Sequence, residues 1–305
     1  MTALFDPLTL KSITLKNRVG VAPMCQYSAT DGVMNDWHRT HLGARAMGGA
    51  GLIFCEATAV SPQGRISPGC TGLWNDTQMA AVAPINAFIK SMGAVPAIQI
   101  GHAGRKGSAA VPWDGGASLA DDAGGWPTIG PTDQVFDPDG TRIWKHPSAM
   151  TVADIQTVTA QFVNAAKRAL DAGYQMLEVH AAHGYLLHSF LTPLVNTRDD
   201  AYGGDLRGRA RFLLETVDAV RAVWPDHLPL ATRLSVHDWI DGGHGIEENI
   251  QIAKWLKERG VDAIDCSGGG ATPAARASIG ERTADQVALA GEMRAATGLV
   301  TCAVG

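Results

Sequence analysis

The sequence predicts an α/β fold, a parallel (β/α)8 barrel of which seven strands fall within its 305 residues. Three observations carry that expectation. Short apolar runs of strand length alternate with amphipathic stretches of helical length, which is the rhythm of βαβ units. No run is followed by the Gly-rich turn of a dinucleotide fold, so an open doubly wound sheet is disfavoured. Polar and reactive residues collect at the ends of the runs, where a barrel brings them to one face.

Taken in order, residues 7–16 (PLTLKSITLK) alternate apolar and polar about Lys11-Ser12 and predict a β-hairpin. Residues 19–25 form a first strand ending near Pro23. Asn35 or Asp36 can cap a helix that runs to Met47 and stops at Gly48-Gly49. Strands over 52–57 and 96–100 flank a helix over 77–92. Residues 103–150 are rich in Gly, Pro, Asp and Trp without a period, and predict an inserted capping subdomain over one mouth of the scaffold. Thr151 as N-cap with Asp154 three residues on opens the next helix. Strands over 176–179, 228–234, 263–266 and 299–303 then alternate with helices over 206–223, 246–259 and 283–297. The whole, 1–305, reads as a single domain. A complete barrel needs one more strand and two more helices, roughly 40 to 50 residues at mean element lengths.

Hydrophobic residues make up 46% and charged residues 18%, ordinary for a globular enzyme. The net charge of −5 and the scattered Lys and Arg argue against nucleic acid as a partner. Five cysteines (Cys25, Cys55, Cys70, Cys266, Cys302), odd in number and without a CxxC, support neither a disulfide framework nor a zinc knuckle. Reduced thiols fit a cytosolic protein. Asp6 and Pro7 stand where a signal peptide needs an apolar core, and no apolar run is long enough to predict a membrane span.

The strand ends offer Cys25, Ala57, Gln99, His180, His183, Arg233 and the run Ser267-Gly268-Gly269-Gly270. Residues 180–193, HAAHGYLLHSFLTP, place His180, His183 and Tyr185 just past an apolar run. The HxxH spacing is compatible with metal ligation, but zinc needs a third protein ligand and no HExxH occurs. The two imidazoles can equally be satisfied in a polar pocket, or donate together to one substrate oxygen. Arg233 needs an anion: a salt bridge to Glu178 or Glu56, or negative charge on a bound cofactor. Gln99 suits either a core hydrogen bond or the edge of a heterocycle. Cys25 and Tyr27 can be simple packing residues, while Tyr185 can be a general acid. The glycines at 268–270 can admit a phosphate or merely serve steric needs. No GxGxxG, GxxxxGK[ST] or GxSxG is present.

Together, APMCQYSATDG (22–32), HLGARAMGGAGLIFCEATAVSPQGR (41–65), IQIGHAGRK (98–106), HAAHGYLLHSFLTPLVNTRDDAYGG (180–204) and RFLLETVDAVR (211–221) resemble the Old Yellow Enzyme family of flavin-dependent ene-reductases. The resemblance runs from Leu4 to Gly305, and the Cys25–Tyr27 pair is similar to its bacterial subgroup of xenobiotic-reductase-A-like and thermophilic-like enzymes. It implies an FMN-binding barrel that takes hydride from NADPH or NADH and passes it to an α,β-unsaturated carbonyl or a nitro compound. It implies that Ala22, Pro23, Met24, Cys25, Ala57, Ala303 and Gly305 line the flavin, that Gln99 meets its pyrimidine edge, and that Arg233 lies near N1 and the C2 oxygen. His180 and His183 would hold the substrate oxygen, Tyr185 would deliver a proton and Tyr27 would border the substrate. A cytoplasmic homo-oligomer without nucleic-acid or membrane partners is also implied. Family members continue past Ala303 into a helix–strand–helix carrying a Gly-Arg for the FMN phosphate. A truncated chain is therefore expected, binding FMN weakly or needing another chain. The alternatives are an inactive barrel and a histidine-based metal-dependent lyase or hydrolase.

Overall fold

The computed structural model describes residues 3–140, 142–274 and 283–304. Seven strands build one sheet: β3 (Gly20–Val21), β4 (Leu52–Ala59), β5 (Val95–Gly101), β8 (Met176–Ala181), β9 (Leu230–Ser235), β10 (Ala263–Ser267) and β11 (Val300–Ala303). All neighbouring pairs are parallel. Their order in space is their order in the chain. No reversal point exists in such a sheet, so it winds as a barrel does and not as a doubly wound sheet. β3 and β11 are its two edges. Every residue of β5, β8, β9 and β10 is buried, the double-sided burial that makes parallel strands read as continuous apolar runs.

The helices between the strands are α1 (Asp36–Met47), α2 (Asp76–Ser91), α3 (Val152–Asp171), α5 (Leu206–Arg221), α6 (Ile246–Lys257) and α7 (Thr283–Thr297). Asn35, rather than Asp36, caps α1, in a reciprocal box with His38. Thr151 and Asp154 cap α3 in the same way, as expected. α3 buries Ile155, Val158, Phe162, Ala165, Ala166 and Ala169, a stripe at helical spacing that faces the sheet. The N-terminal hairpin, β1 (Leu8–Leu10) with β2 (Ile13–Leu15), buries Leu10, Ile13 and Leu15. Ser12 ties its turn to the carbonyl of His227, just before β9, and so closes the end of the sheet away from the strand C-termini.

Two features escaped the periodicity. Residues 186–191 form a short helix, α4 (Leu186–Leu191), buried along its whole length. One and a half turns without a polar face carry no helical signature. The segment after β5 contains three 3₁₀ turns and a small parallel bridge, β6 (Ile129–Gly130) with β7 (Ser148–Ala149). A two-residue bridge between segments nearly twenty residues apart leaves no local pattern to read.

Replacing Phe162 with Ala should destabilise the protein by about 3–5 kcal/mol. Thr151→Ala should cost only about 1 kcal/mol. Urea midpoints at constant m-value report both, and a cap effect as large as the core effect would show that α3 is not held by its buried stripe.

Candidate active site

Side chains two apart on a strand share a face, so Glu178 and His180 both project inward from β8. The register then sets their neighbours. Gln99 on β5 is level with Glu178, Arg233 on β9 is level with His180, and Asp265 on β10 is level with Arg233. Gln99 Nε2 donates to Glu178 Oε1 at 2.8 Å. Arg233 Nε lies 3.4 Å from Asp265 Oδ2. The expected ion partners of Arg233, Glu178 and Glu56, are thus replaced by Asp265. Register puts Asp265 directly beside the guanidinium. Glu56 instead faces outward to His38 Nε2 at 3.3 Å and accepts the Gln26 N–H at 3.0 Å. Burial, then the charge of Asp265, push the Glu178 carboxyl well above its usual range, against the pull of Arg233. Burial raises the Asp265 carboxyl as well, against the pull of Arg233, so both acids of this layer are harder to ionise than free carboxyls.

His180 is buried, and its Nδ1 has no hydrogen-bond partner among the described residues. His183 is half-buried in the left-handed region, φ 61°. Its N–H donates to Ser235 Oγ at 2.9 Å, and its Nε2 lies 2.7 Å from Ser267 Oγ. Burial first, then Arg233, hold both imidazoles well below their ordinary pKa, so both rings are neutral. The two rings lie 5.2 Å apart, and the Tyr185 ring lies 5.1 Å from His180 and 6.4 Å from His183. Lys106 Nζ stands 5.0 Å over the Tyr185 ring and donates to the carbonyls of His183 (2.6 Å) and Gly270 (3.2 Å).

The glycine run after β10 shapes this turn. A Cβ on Gly184 would sit 2.1 Å from the Gly270 oxygen, one on Gly270 would meet His183 Cα at 2.6 Å, and one on Gly268 would strike Trp239 at 2.4 Å. Of the two readings of residues 268–270, this close packing is the one the contacts support.

Tyr185 borders two spaces. A narrow crevice is shared with Ala57 and His180. A cleft of about 280 Å³ is shared with Tyr27, Lys106, Trp144 and His183. The structure therefore gathers His180, His183, Tyr185, Tyr27 and Ala57, with Gln99 on β5 and Arg233 on β9, the strands on either side of β8. Pro23 and Cys25 are half-buried on the loop after β3, and Met24 is exposed there. Burial, then Cys70 and Glu56, raise the Cys25 thiol well above its usual pKa, so it is a thiol and not a thiolate. Ala22 and Ala303 open onto a different cavity, about 480 Å³, between β3 and β11. Gly305 lies outside the described residues.

Sequence reasoning did not assign Glu178 or Asp265 to a shared layer, nor single out Lys106 or the Glu56–His38 pair. An acid inside an apolar strand was the available signal for the first two. Among the described residues, the one His/Cys/Asp/Glu group close enough for shared ligation is His188, Asp238 and His244, not His180 and His183.

A family model described as NADH:flavin oxidoreductase / NADH oxidase matches residues 3–297. The chain belongs to this family. It is 42% identical over 304 residues to an NADPH dehydrogenase of Bacillus velezensis, across 99% of this chain and 83% of the relative. Morphinone reductase in complex with tetrahydroNAD superposes with a TM-score of 0.78 at 29% identity, covering 99% of this chain and 80% of that one. Old Yellow Enzyme from Pichia sp. AKU4542 does so at 0.76 and 26%, covering 98% and 82%. The Old Yellow Enzyme resemblance and the α/β barrel fold hold. This NADH:flavin oxidoreductase family member is an enzyme that uses FMN with NAD(P)H as reductant. No described helix is long and apolar enough to cross a membrane.

The residues present fit a flavin. A ring system with one polar edge needs buried donors, and Arg233 Nε has no hydrogen-bond partner among the described residues. Gln99 on β5 and the neutral His180 on β8 stand on neighbouring strands, and Ala57 lines the same crevice as His180. Bound FMN would supply two-electron chemistry, accepting and donating hydride.

Gly184→Ala places a side chain where no space exists and at φ 73°. It should destabilise the protein by about 1–3 kcal/mol or more through strain alone, read as a lowered urea midpoint. pH acts through the buried histidines. His102 and His244 are pushed down to about 3 by burial, and His180 and His183 are lowered too. With folded pKa values below the unfolded value of about 6.5, the unfolded chain binds the extra protons. Stability is therefore full above that value and falls as pH drops below it, by up to about 1.4 kcal/mol per pH unit for each such histidine. A urea midpoint that stays level from about pH 7 to about pH 5 would show these rings are not held neutral.

Proposed function

We propose that the cluster past β8 is the substrate site of an NAD(P)H-dependent reductase for activated alkenes, with α,β-unsaturated carbonyl or nitro compounds as acceptors. The observation that carries this reading is the arrangement of two neutral imidazoles 5.2 Å apart with a phenol 5.1 Å from one of them. Each neutral ring has one N–H to give. Two such donors converging on a carbonyl or nitro oxygen favour the state in which that oxygen gains negative charge, and they draw electrons from the β-carbon.

Bound FMN, reduced by NAD(P)H, would supply the hydride for that β-carbon. Tyr185 then gives its O–H proton to the α-carbon, and solvent restores the phenol. Lys106, 5.0 Å from the Tyr185 ring, favours the transient phenolate. Gln99 and Arg233 would meet the polar edge of the flavin, and Arg233 would balance negative charge gathered there on reduction. Pro23, Met24, Cys25 and Ala57 would line the ring, with Ala22 and Ala303 further along the cofactor. Tyr27, edge-on to Trp113 at 5.7 Å, would border the substrate. Cys25, a neutral thiol, would adjust the flavin's surroundings without attacking it. The likeness to morphinone reductase in complex with tetrahydroNAD supports a nicotinamide entering this fold.

The FMN-loaded protein should be yellow, bleach with NADPH without oxygen, and regain colour when an enone is added. Tyr185→Phe should slow the recolouring by about 10²-fold and leave bleaching nearly unchanged in stopped-flow absorbance. Equal slowing of both half-reactions would remove the proton-donor role from Tyr185.

A further inference from the structure

Behind the turn that carries His183 and Tyr185 lies a buried trio: His188 on α4, and Asp238 and His244 on the loop after β9. The His188 and Asp238 side chains are 0% exposed, and so is His244's. Gly184 donates its N–H to His188 Nδ1 at 2.7 Å. In a neutral ring that leaves the proton on Nε2. Nε2 in turn makes a hydrogen-bond contact of 3.1 Å with His244 Nε2, and lies 3.1 Å from Asp238 Oδ1, which accepts no hydrogen bond among the described residues and so acts on the ring by its charge. Asp238 Oδ2 accepts from Thr192 Oγ1 at 2.6 Å and from the His244 N–H at 3.0 Å. Burial opposes ionisation of Asp238, but His188, His244 and Thr192 outweigh it and hold its carboxyl below the usual range.

The turn needs such support. His183 and Gly184 are two successive left-handed residues, φ 61° and 73°, and the first is not glycine. A left-handed residue with a side chain is strained. The Gly184 N–H is buried, and Tyr185, at the N-cap of α4, makes no capping hydrogen bond with its side chain. His188, one turn into α4, reaches back to serve that N–H. An imidazole that presented an N–H on Nδ1 would instead meet the Gly184 N–H donor to donor.

We propose that His188, with Asp238 holding its tautomer, is a positioning residue for the reaction: it fixes the His183–Gly184 turn and so the angle at which His183 and Tyr185 meet substrate. The trio's three ligand-type atoms lie within 4.8 Å of one another, as they would around a metal ion. A metal would require a lone pair on His188 Nε2, which the Gly184 hydrogen bond assigns to Nδ1 instead.

The proposal rests on the substrate-site reading above, so its test has one arm that does not. In the FMN-loaded full chain labelled with nitrogen-15, the His188 shifts should show Nδ1 unprotonated and Nε2 protonated, and Asp238→Asn should shift this balance. The second arm compares enone-driven recolouring. His188→Leu should slow it by about 10²-fold, the scale of a small misplacement of reacting groups. His188→Asn, whose Oδ1 stands where Nδ1 stood, should recover most of that loss. Equal loss in the Leu and Asn variants would mean that ring volume, not the acceptor, matters, and would overturn the proposal. So would an Nδ1-protonated His188, or stoichiometric zinc in the purified protein. Should the Leu variant fail to fold, the tautomer and the Asn variant still decide. A wild type that reduces no enone sinks the substrate-site reading, while the nitrogen-15 arm still judges the hydrogen bond.

Discussion

A guanidinium inside a parallel barrel sheet is the constraint on which the site depends. Arg233 projects from the middle of a fully buried strand, and a buried cation without an anion costs several kcal/mol. The register supplies Asp265 on one side at 3.4 Å and stacks Glu178 and Gln99 on the strands beyond. Burial raises both carboxyls, and the cation they share opposes that shift in each. The layer keeps a positive group next to His180. That charge, together with burial, holds both site imidazoles neutral. The same interaction that makes the sheet tolerable thus sets the protonation state of the groups above it.

The second constraint is steric. The turn at 183–184 and the glycine run at 268–270 approach so closely that neither could carry a further carbon at Gly184 or Gly270. Lys106 bridges the two with hydrogen bonds to His183 and Gly270. Loops that follow different strands are therefore locked together at the mouth, and the histidine pair stands on this lock. Reactive side chains on a fixed turn lose little freedom when a substrate arrives, which is what efficient orientation needs.

Much of this was legible in the sequence. Strand and helix order, a cap at Asn35 or Asp36, the capping residue Thr151, and the cluster of His180, His183 and Tyr185 at a strand end all follow from local patterns. The motifs carrying those residues resemble the family to which the chain belongs. Less legible was anything that depends on which strand lies beside which. Arg233 found Asp265 and not Glu178 or Glu56, because register is a relation between distant segments. His188 and Asp238 gave no signal either: an apolar stretch and an irregular loop meet only in the folded chain.

The amino-acid sequence by itself determined the α/β rhythm, the parallel sheet and the set of chemical groups available at the strand ends, because these depend on the period and identity of nearby residues. Tertiary structure decided which of those groups share a space, which carboxyls are hard to ionise and which imidazole faces which donor. Those outcomes depend on distances of a few ångströms between residues far apart in the chain, and on burial, which no single residue carries.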